Sequence, residues 1–323
     1  TRHTAVLLAA LGLFFHSTEV VQAYYQAQVR AKVISICIHA QLAFSTALKL
    51  YAIAQGYGVL VFLWIMLADK AFLSALLFIT TRKESIHGFI RQFDPKIAKP
   101  LFRASWPMIF AGLVVVIYAR IDQVMIGLML ESRAVGYYGV GVRLTELWLI
   151  LPTVLSLSLF PALAAAKQAN RDDYENLLSH IYCAIILTGL TVAIVGSLFS
   201  SQIVQWVFGA DYSPASSVFN IRIWDTFFAA IGMILVKWMH LEDLQSRLVW
   251  FSLIGALTNV ILNFWWIPRY GIEGAAFASV IAVFIAVIVG PLVYLPTRDH
   301  IILIFQSPLT SLADVLSRFK KDT

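Results

Sequence analysis

The sequence predicts an all-α, polytopic membrane helix bundle with about nine transmembrane helices. Hydrophobic residues make up 60% of the 323 and charged residues only 13%, against roughly 45–50% and 25% in a soluble domain. Several uninterrupted apolar stretches also reach the roughly 18–20 residues that a helix needs to cross about 30 Å of hydrocarbon. Lipid offers no partner to an exposed backbone amide, so spans of this length are helices and not open sheet.

Apolar length and polar interruptions place the spans at about 5–25, 33–54, 59–80, 105–129, 134–163, 179–200, 217–238, 248–267 and 272–295. The first lacks the short basic-flanked build of a signal peptide, and with Thr1 where a Met would stand it reads as an internal start. Trp106, Trp238, Trp250, Trp265 and Trp266 fall near span ends, where interfacial aromatics gather. Pro152 and Pro291 lie inside the fifth and ninth spans and should bend them, because each removes a backbone hydrogen bond. Gly136, Gly139 and Gly141 open a helix after a loop, so they read as small packing residues and not as a nucleotide loop. Cys37 and Cys183 sit within apolar runs and read as core packing.

The net charge of +6 comes from basic residues spread along loops, which argues against nucleic acid as a partner. Counted by alternate loops, sixteen Lys and Arg fall on one side and three, Arg2, Arg133 and Arg269, on the other. Such a bias puts the first side, and the C-terminus, in the cytoplasm. The longest polar connection, Thr81 to Arg103, separates three helices from six. The expected organisation is a partial N-terminal lobe at 1–103, a six-helix lobe at 104–296 and a cytoplasmic tail at 297–323. Gln55-Gly56-Tyr57-Gly58-Val59 and Pro268-Arg269-Tyr270-Gly271-Ile272 each stand before the last helix of a lobe, a weak internal repeat of the kind secondary transporters carry.

Ser105-Trp106-Pro107, Gly112 and the run Ile117-Tyr118-Ala119-Arg120-Ile121-Asp122-Gln123-Val124-Met125-Ile126-Gly127 resemble the first helix of the C-terminal lobe in polysaccharide flippases. Ala134-Val135-Gly136-Tyr137-Tyr138, Arg143-Leu144 and Phe160-Pro161 continue the pattern. The chain thus resembles the polysaccharide transporter and O-antigen flippase branch of the multidrug/oligosaccharidyl-lipid/polysaccharide exporter superfamily. That resemblance implies a twelve-helix, two-lobe fold of which this chain is an N-terminally truncated remnant. It also implies transport of undecaprenyl-diphosphate-linked oligosaccharide units across the bacterial inner membrane, for O-antigen or lipopolysaccharide-like polymers.

Charged side chains at mid-bilayer cost roughly 2.5–3.5 kcal/mol each on insertion scales, so they face a partner or a wet cavity. The spans hold Glu19, Lys49, Asp69, Lys70, Arg120, Asp122, Arg143, Glu146, Arg222 and Asp225, with His16 and His39 besides. In the hairpin that turns near Ser132, Asp122 lies ten residues before the turn and Arg143 eleven after, so the two fall at similar depth. They are expected to pair, as are Arg120 and Glu146. Two readings stand: the pairs staple two helices, or Arg120 and Arg143 hold the substrate diphosphate through bidentate guanidinium bonds. Arg222, Lys70 and Lys49 complete the basic set proposed to line the cavity. Arg222 and Asp225, three apart on one helix face, are expected to pair only with each other. Glu19, Asp69, Asp122, Glu146 and Asp225 are candidates for ion pairing or for coupling to a proton or sodium ion.

The sequence carries no Walker loop, nucleophile elbow, metal-binding histidine pair or paired cysteines. The reading that follows is a flippase and not an enzyme, without a cofactor. Its partners are the lipid-linked oligosaccharide, membrane lipid and a polysaccharide polymerase machinery. A multidrug or organic-cation antiporter of the same superfamily remains open beside it, because acidic and basic residues are equally many in the spans. An O-antigen polymerase or ligase fits less well, since the longest outer loop, Ser201 to Ser216, is short.

Overall fold

The computed structural model describes residues 2–27, 30–83 and 94–307; the side chains of 2–6, 9, 26, 27, 31, 104–119, 157 and 245 are not described. Among the described residues only helices and turns occur. The chain divides into two compact units, Thr1–Trp106 and Pro107–Thr323.

The first unit contains α1 (Arg2–Phe15), α2 (Glu19–Ala27), α3 (Ala31–Ala54) and α4 (Val59–Lys83). A 3-10 turn at His16–Thr18 interrupts the first expected span, where Ser17 and Thr18 hydroxyls donate back to the carbonyls of Phe14 and Phe15. Serine and threonine compete in this way with the helical ladder. Both α1 and α3 pack on α4. The Thr18 and Ser74 hydroxyls lie 3.0 Å apart, and Phe44 stacks on Phe72 at 4.3 Å between ring centres.

The second unit begins within α5 (Pro95–Met129) and continues with α6 (Ser132–Trp148), α7 (Ile150–Ala169), α8 (Arg171–Leu198), the short α9 (Ser200–Phe208), α10 (Ala215–Leu241), α11 (Gln245–Phe284) and α12 (Gly290–Val293), with a last helix at 295–307. Helix α10 lies at its centre and packs on α6, α8 and α11. Gly141 makes the approach of α6 possible: a Cβ there would stand 2.6 Å from Val218 Cγ1 and 3.1 Å from the Phe219 amide nitrogen. Small residues at helix crossings serve this purpose in membranes. Gly136 and Gly139, also expected to pack, have no atom within 4 Å of such a Cβ.

Helix α11 is a hairpin. Gly255 lies against Ala282 and Ala286, residues that a straight helix would carry roughly 40 Å away at 1.5 Å per residue. The reversal falls at Gly271, with φ 60° and ψ −140°, a conformation open essentially to glycine alone. In the first unit the corresponding turn uses Gly56, with φ 67°. In the repeat Gly271 aligns with Gly58 and not with Gly56, so the two turns are built from different positions.

Both proline expectations have structural counterparts. The helix breaks at Leu149, three residues before Pro152, and the Leu149 carbonyl accepts from both the backbone N–H of Thr153 at 3.1 Å and its hydroxyl at 2.6 Å. A π-helical turn, Ile285–Val289, precedes Pro291, easing the clash of the ring with the carbonyl four residues back.

Six stretches among the described residues are long and apolar enough to cross a membrane: Lys32–Ala54, Val59–Thr81, Ser132–Ala169, Arg171–Leu198, Ala215–Leu241 and Ser246–Val293. The difference from nine spans has three sources. The expected span 5–25 is broken at His16, 105–129 passes through side chains outside the described residues, and 246–293 joins the last two expected spans across Gly271. The side chains of Ser105-Trp106-Pro107, Gly112 and Ile117-Tyr118-Ala119 likewise lie outside the described residues.

Trp250 and Trp265 are exposed, whereas Trp238 is buried and stacks on His300 at 3.7 Å and 10°. Residues 295–307 are not a free tail but pack through Ile301 and Ile304 into the core formed by α8 and α10. Cys37 and Cys183 are both free and buried.

Candidate functional site

Asp122 is the hub of a polar cluster inside the second unit. One carboxylate oxygen accepts from the Tyr138 hydroxyl at 2.6 Å, the Ser279 hydroxyl at 2.5 Å and Arg222 Nη1 at 3.3 Å. The other accepts from Asn263 Nδ2 at 2.7 Å. Arg222 extends the cluster through Nη2 to Asp225, 2.8 Å away. Asn259 closes it, with its amide oxygen accepting from Asn263 at 3.0 Å and its amide nitrogen 3.4 Å from Ser279 Oγ. Five helical segments contribute: α5, α6, α10 and both limbs of α11.

A carboxylate buried to this degree is tolerated because hydrogen bonds and a guanidinium replace its water. Two aspartates face one arginine, so with both ionised the cluster keeps one excess negative charge. Asn263 Oδ1 is buried and has no hydrogen-bond partner among the described residues.

The expected Asp122–Arg143 pair does not form. Arg143 is exposed, with no ion-pair partner among the described residues, and its place is taken by Arg222. The reason is rotational. On α6, Tyr138 and Arg143 are five residues apart, about 140° around the axis at 100° per residue, so Tyr138 turns inward and Arg143 outward. The expectation that Arg222 and Asp225 pair only with each other is likewise corrected, since Arg222 bridges both aspartates.

Arg120 and Glu146 do pair, at 3.4 Å, with side chains about half exposed, 50% and 47%. Arg120 stands two residues, or about 200°, from Asp122 and leaves α5 on the opposite side. The second unit therefore carries an inner cluster around Asp122 and an outer charged face formed by Arg120, Arg143 and Glu146.

In the first unit, Glu19 pairs with His16 at 2.6 Å. Lys70 and His16 line a cavity of about 150 Å³ whose remaining walls are apolar. Asp69 is half-buried, and its Oδ1 has no hydrogen-bond partner among the described residues. Lys49 is exposed, without an ion-pair partner among the described residues. No group of three or more His, Cys, Asp or Glu suited to a metal ion occurs among the described residues.

Sequence reasoning missed Tyr138, Asn259, Asn263 and Ser279 as cluster members. The two asparagines carried a usable signal: four apart in an apolar run, they share one helix face where a polar amide needs a partner.

An all-helical bundle of span-length apolar helices holding a buried ion cluster defines a polytopic membrane protein. The structure of the lipid II flippase MurJ, inward closed conformation, superposes with a TM-score of 0.71 at 13% identity, covering 99% of this chain and 68% of that one. Residues 2–217 match the family described as polysaccharide biosynthesis protein, and the chain belongs to it. AglR of Haloferax volcanii, described as a probable flippase, is 24% identical over 175 residues, 51% of this chain and 35% of that protein. A probable low-salt glycan biosynthesis flippase of the same organism is 23% identical over 188 residues, 58% of this chain and 40% of that protein. The chain thus spans well under half the length of the curated relatives it matches.

Proposed function

We propose that this chain works in a flippase for lipid-linked glycan units, moving undecaprenyl-diphosphate-linked oligosaccharides across the bacterial inner membrane for O-antigen or lipopolysaccharide-like polymers. The observation that carries the reading is the outer charged face of the second unit. Arg143 is exposed and lacks an ion-pair partner among the described residues, beside a half-exposed Arg120–Glu146 pair. Charges at such depth are too costly to present to lipid tails, so this face borders a polar path. Two guanidiniums on it match a diphosphate, whose oxygens accept bidentate bonds. The printed descriptions of the two Haloferax relatives and of the MurJ structure support the same class of cargo.

In this reading no covalent bond is made or broken, and the protein is a transporter, not an enzyme. Lys49, Lys70 and Arg222 add basic charge, with Arg222 acting inside the cluster. The excess negative charge of Asp122 and Asp225 provides the seat for a coupling proton or sodium ion. Glu146 acts in the Arg120 pair, and Glu19 and Asp69 are further coupling candidates. The basic loops support a cytoplasmic C-terminus. The translocated unit passes to a polysaccharide polymerase machinery.

The test uses the full-length gene in its host. On deletion, surface polymer should disappear while intact lipid-linked units accumulate on the cytoplasmic leaflet. Units that still reach the outer leaflet unpolymerised would overturn the proposal.

A further inference from the structure

A cavity of the second unit lies away from the Asp122 cluster. It measures about 790 Å³ and opens where α7 ends, α8 begins and α10 ends, with the 295–307 helix as its remaining wall. Its charges come in two kinds. Lys167 and Arg171 supply the cations; Glu175, Glu242 and Asp299 supply the carboxylates. Lys167 is 3.1 Å from Glu242 and also donates to the Leu241 carbonyl, while Arg171 bonds Glu175 at 2.8 Å. Asp299 is exposed and has no ion-pair partner among the described residues.

His300 also lines this cavity although only 7% of it is accessible. Its Nε2 lies 2.8 Å from the fully buried Tyr182 hydroxyl, which has no other hydrogen-bond partner among the described residues. A buried hydroxyl whose own hydrogen found no acceptor would be strongly unfavourable, so Tyr182 donates and Nε2 accepts. A neutral imidazole then carries its proton on Nδ1. That second nitrogen has no hydrogen-bond partner among the described residues, and the ring lines the cavity.

The boundary position is written in the 295–307 helix. Ile301 and Ile304 are buried, whereas Leu295, Ile302 and Phe305 are exposed, and Ile302 lines the cavity mouth. An exposed apolar face just after a span is suited to contact with lipid at the membrane surface.

We propose that this cavity binds the headgroup of a zwitterionic glycerophospholipid bearing a phosphate and a primary ammonium. The phosphate is held by Arg171, Lys167 and the Nδ1–H of His300, and the ammonium by Asp299 and Glu175. The acyl chains leave past Ile302 and Phe305. This site goes beyond the transport reading, and its occupancy is measured without any flipping assay.

The test is native mass spectrometry of the full chain in detergent with short-chain phosphatidylethanolamine, phosphatidylglycerol and glycerophosphoethanolamine. The expected result is one retained phosphatidylethanolamine, bound at least tenfold more tightly than the other two. Asp299→Asn should cut the preference over phosphatidylglycerol to less than threefold, and Arg171→Gln should weaken both lipids. Arg171 and Asp299 both lie at the surface, so neither variant threatens the fold. Equal or stronger binding of phosphatidylglycerol overturns the proposal, because the carboxylates then read nothing. Equal binding of glycerophosphoethanolamine also overturns it, assigning the cavity to a soluble zwitterion. Unchanged selectivity in Asp299→Asn places the lipid elsewhere.

Discussion

The Asp122 carboxylate and the Arg222 guanidinium meet at 3.3 Å, one hundred residues apart in sequence. Their contact ties the α5–α6 hairpin to α10. Removing one member of a buried pair leaves an uncompensated charge and costs about 3–5 kcal/mol. Arg222→Met should therefore lower the unfolding midpoint sharply in detergent, and adding Asp122→Asn should restore part of it. Equal losses for the single and double variants would show that the pair is uncoupled.

Helix packing through Gly141 is testable in the same way. Gly141→Ala forces a methyl against Val218 and should cost about 1–3 kcal/mol, with recovery in Gly141→Ala/Val218→Ala. Gly136→Ala, which meets nothing within 4 Å, should be neutral or stabilising by up to about 1 kcal/mol, because alanine favours the helix.

At Gly271 the penalty is conformational. Alanine there meets no atom within 4 Å, yet φ 60° with ψ −140° strains any Cβ, at a cost of about 1–3 kcal/mol. Loss of midpoint in Gly271→Ala, read by thermal unfolding, checks the hairpin assigned to α11; an unchanged midpoint would argue for a straighter helix.

Arg143→Ala should separate transport from stability. Its side chain is exposed, so the unfolding midpoint should move by less than about 0.5 kcal/mol. A lost charged hydrogen bond of about 1.5–3 kcal/mol corresponds to a roughly 10- to 150-fold drop in delivery of lipid-linked units. Arg143→Lys should recover only part, since an ammonium cannot form the bidentate contact.

Burial against Trp238 and Tyr182 lowers the His300 pKa from 6.5 to about 3. Between those values the unfolded chain binds a proton that the folded chain refuses, so His300 reduces stability as pH falls below 6.5. The slope approaches about 1.4 kcal/mol per pH unit. Lys167, Arg171, Glu175, Glu242 and Asp299 share the cavity, and carboxylates dominate the profile below about pH 4.5. His300→Phe, which keeps a ring against Trp238, should flatten the decline between pH 6 and 4.5 in detergent unfolding.

Much of this protein is determined by sequence alone because the bilayer imposes one strong condition on it. Apolar length set the helices, Pro152 and Pro291 marked where they deform, and depth arithmetic brought Arg120 to Glu146. The motif from Arg120 to Gly127 with Tyr137-Tyr138 pointed to the family. Depth along a helix accumulates at a fixed rise per residue and survives small errors at its ends. Rotation does not: at 100° per residue, the face a side chain joins depends on which neighbours bury it. Tertiary packing alone therefore turned Asp122 toward Arg222 and left Arg143 outside. It also gathered Asn259, Asn263 and Ser279 from the two limbs of α11 around one carboxylate. Those three meet only because the chain reverses at Gly271.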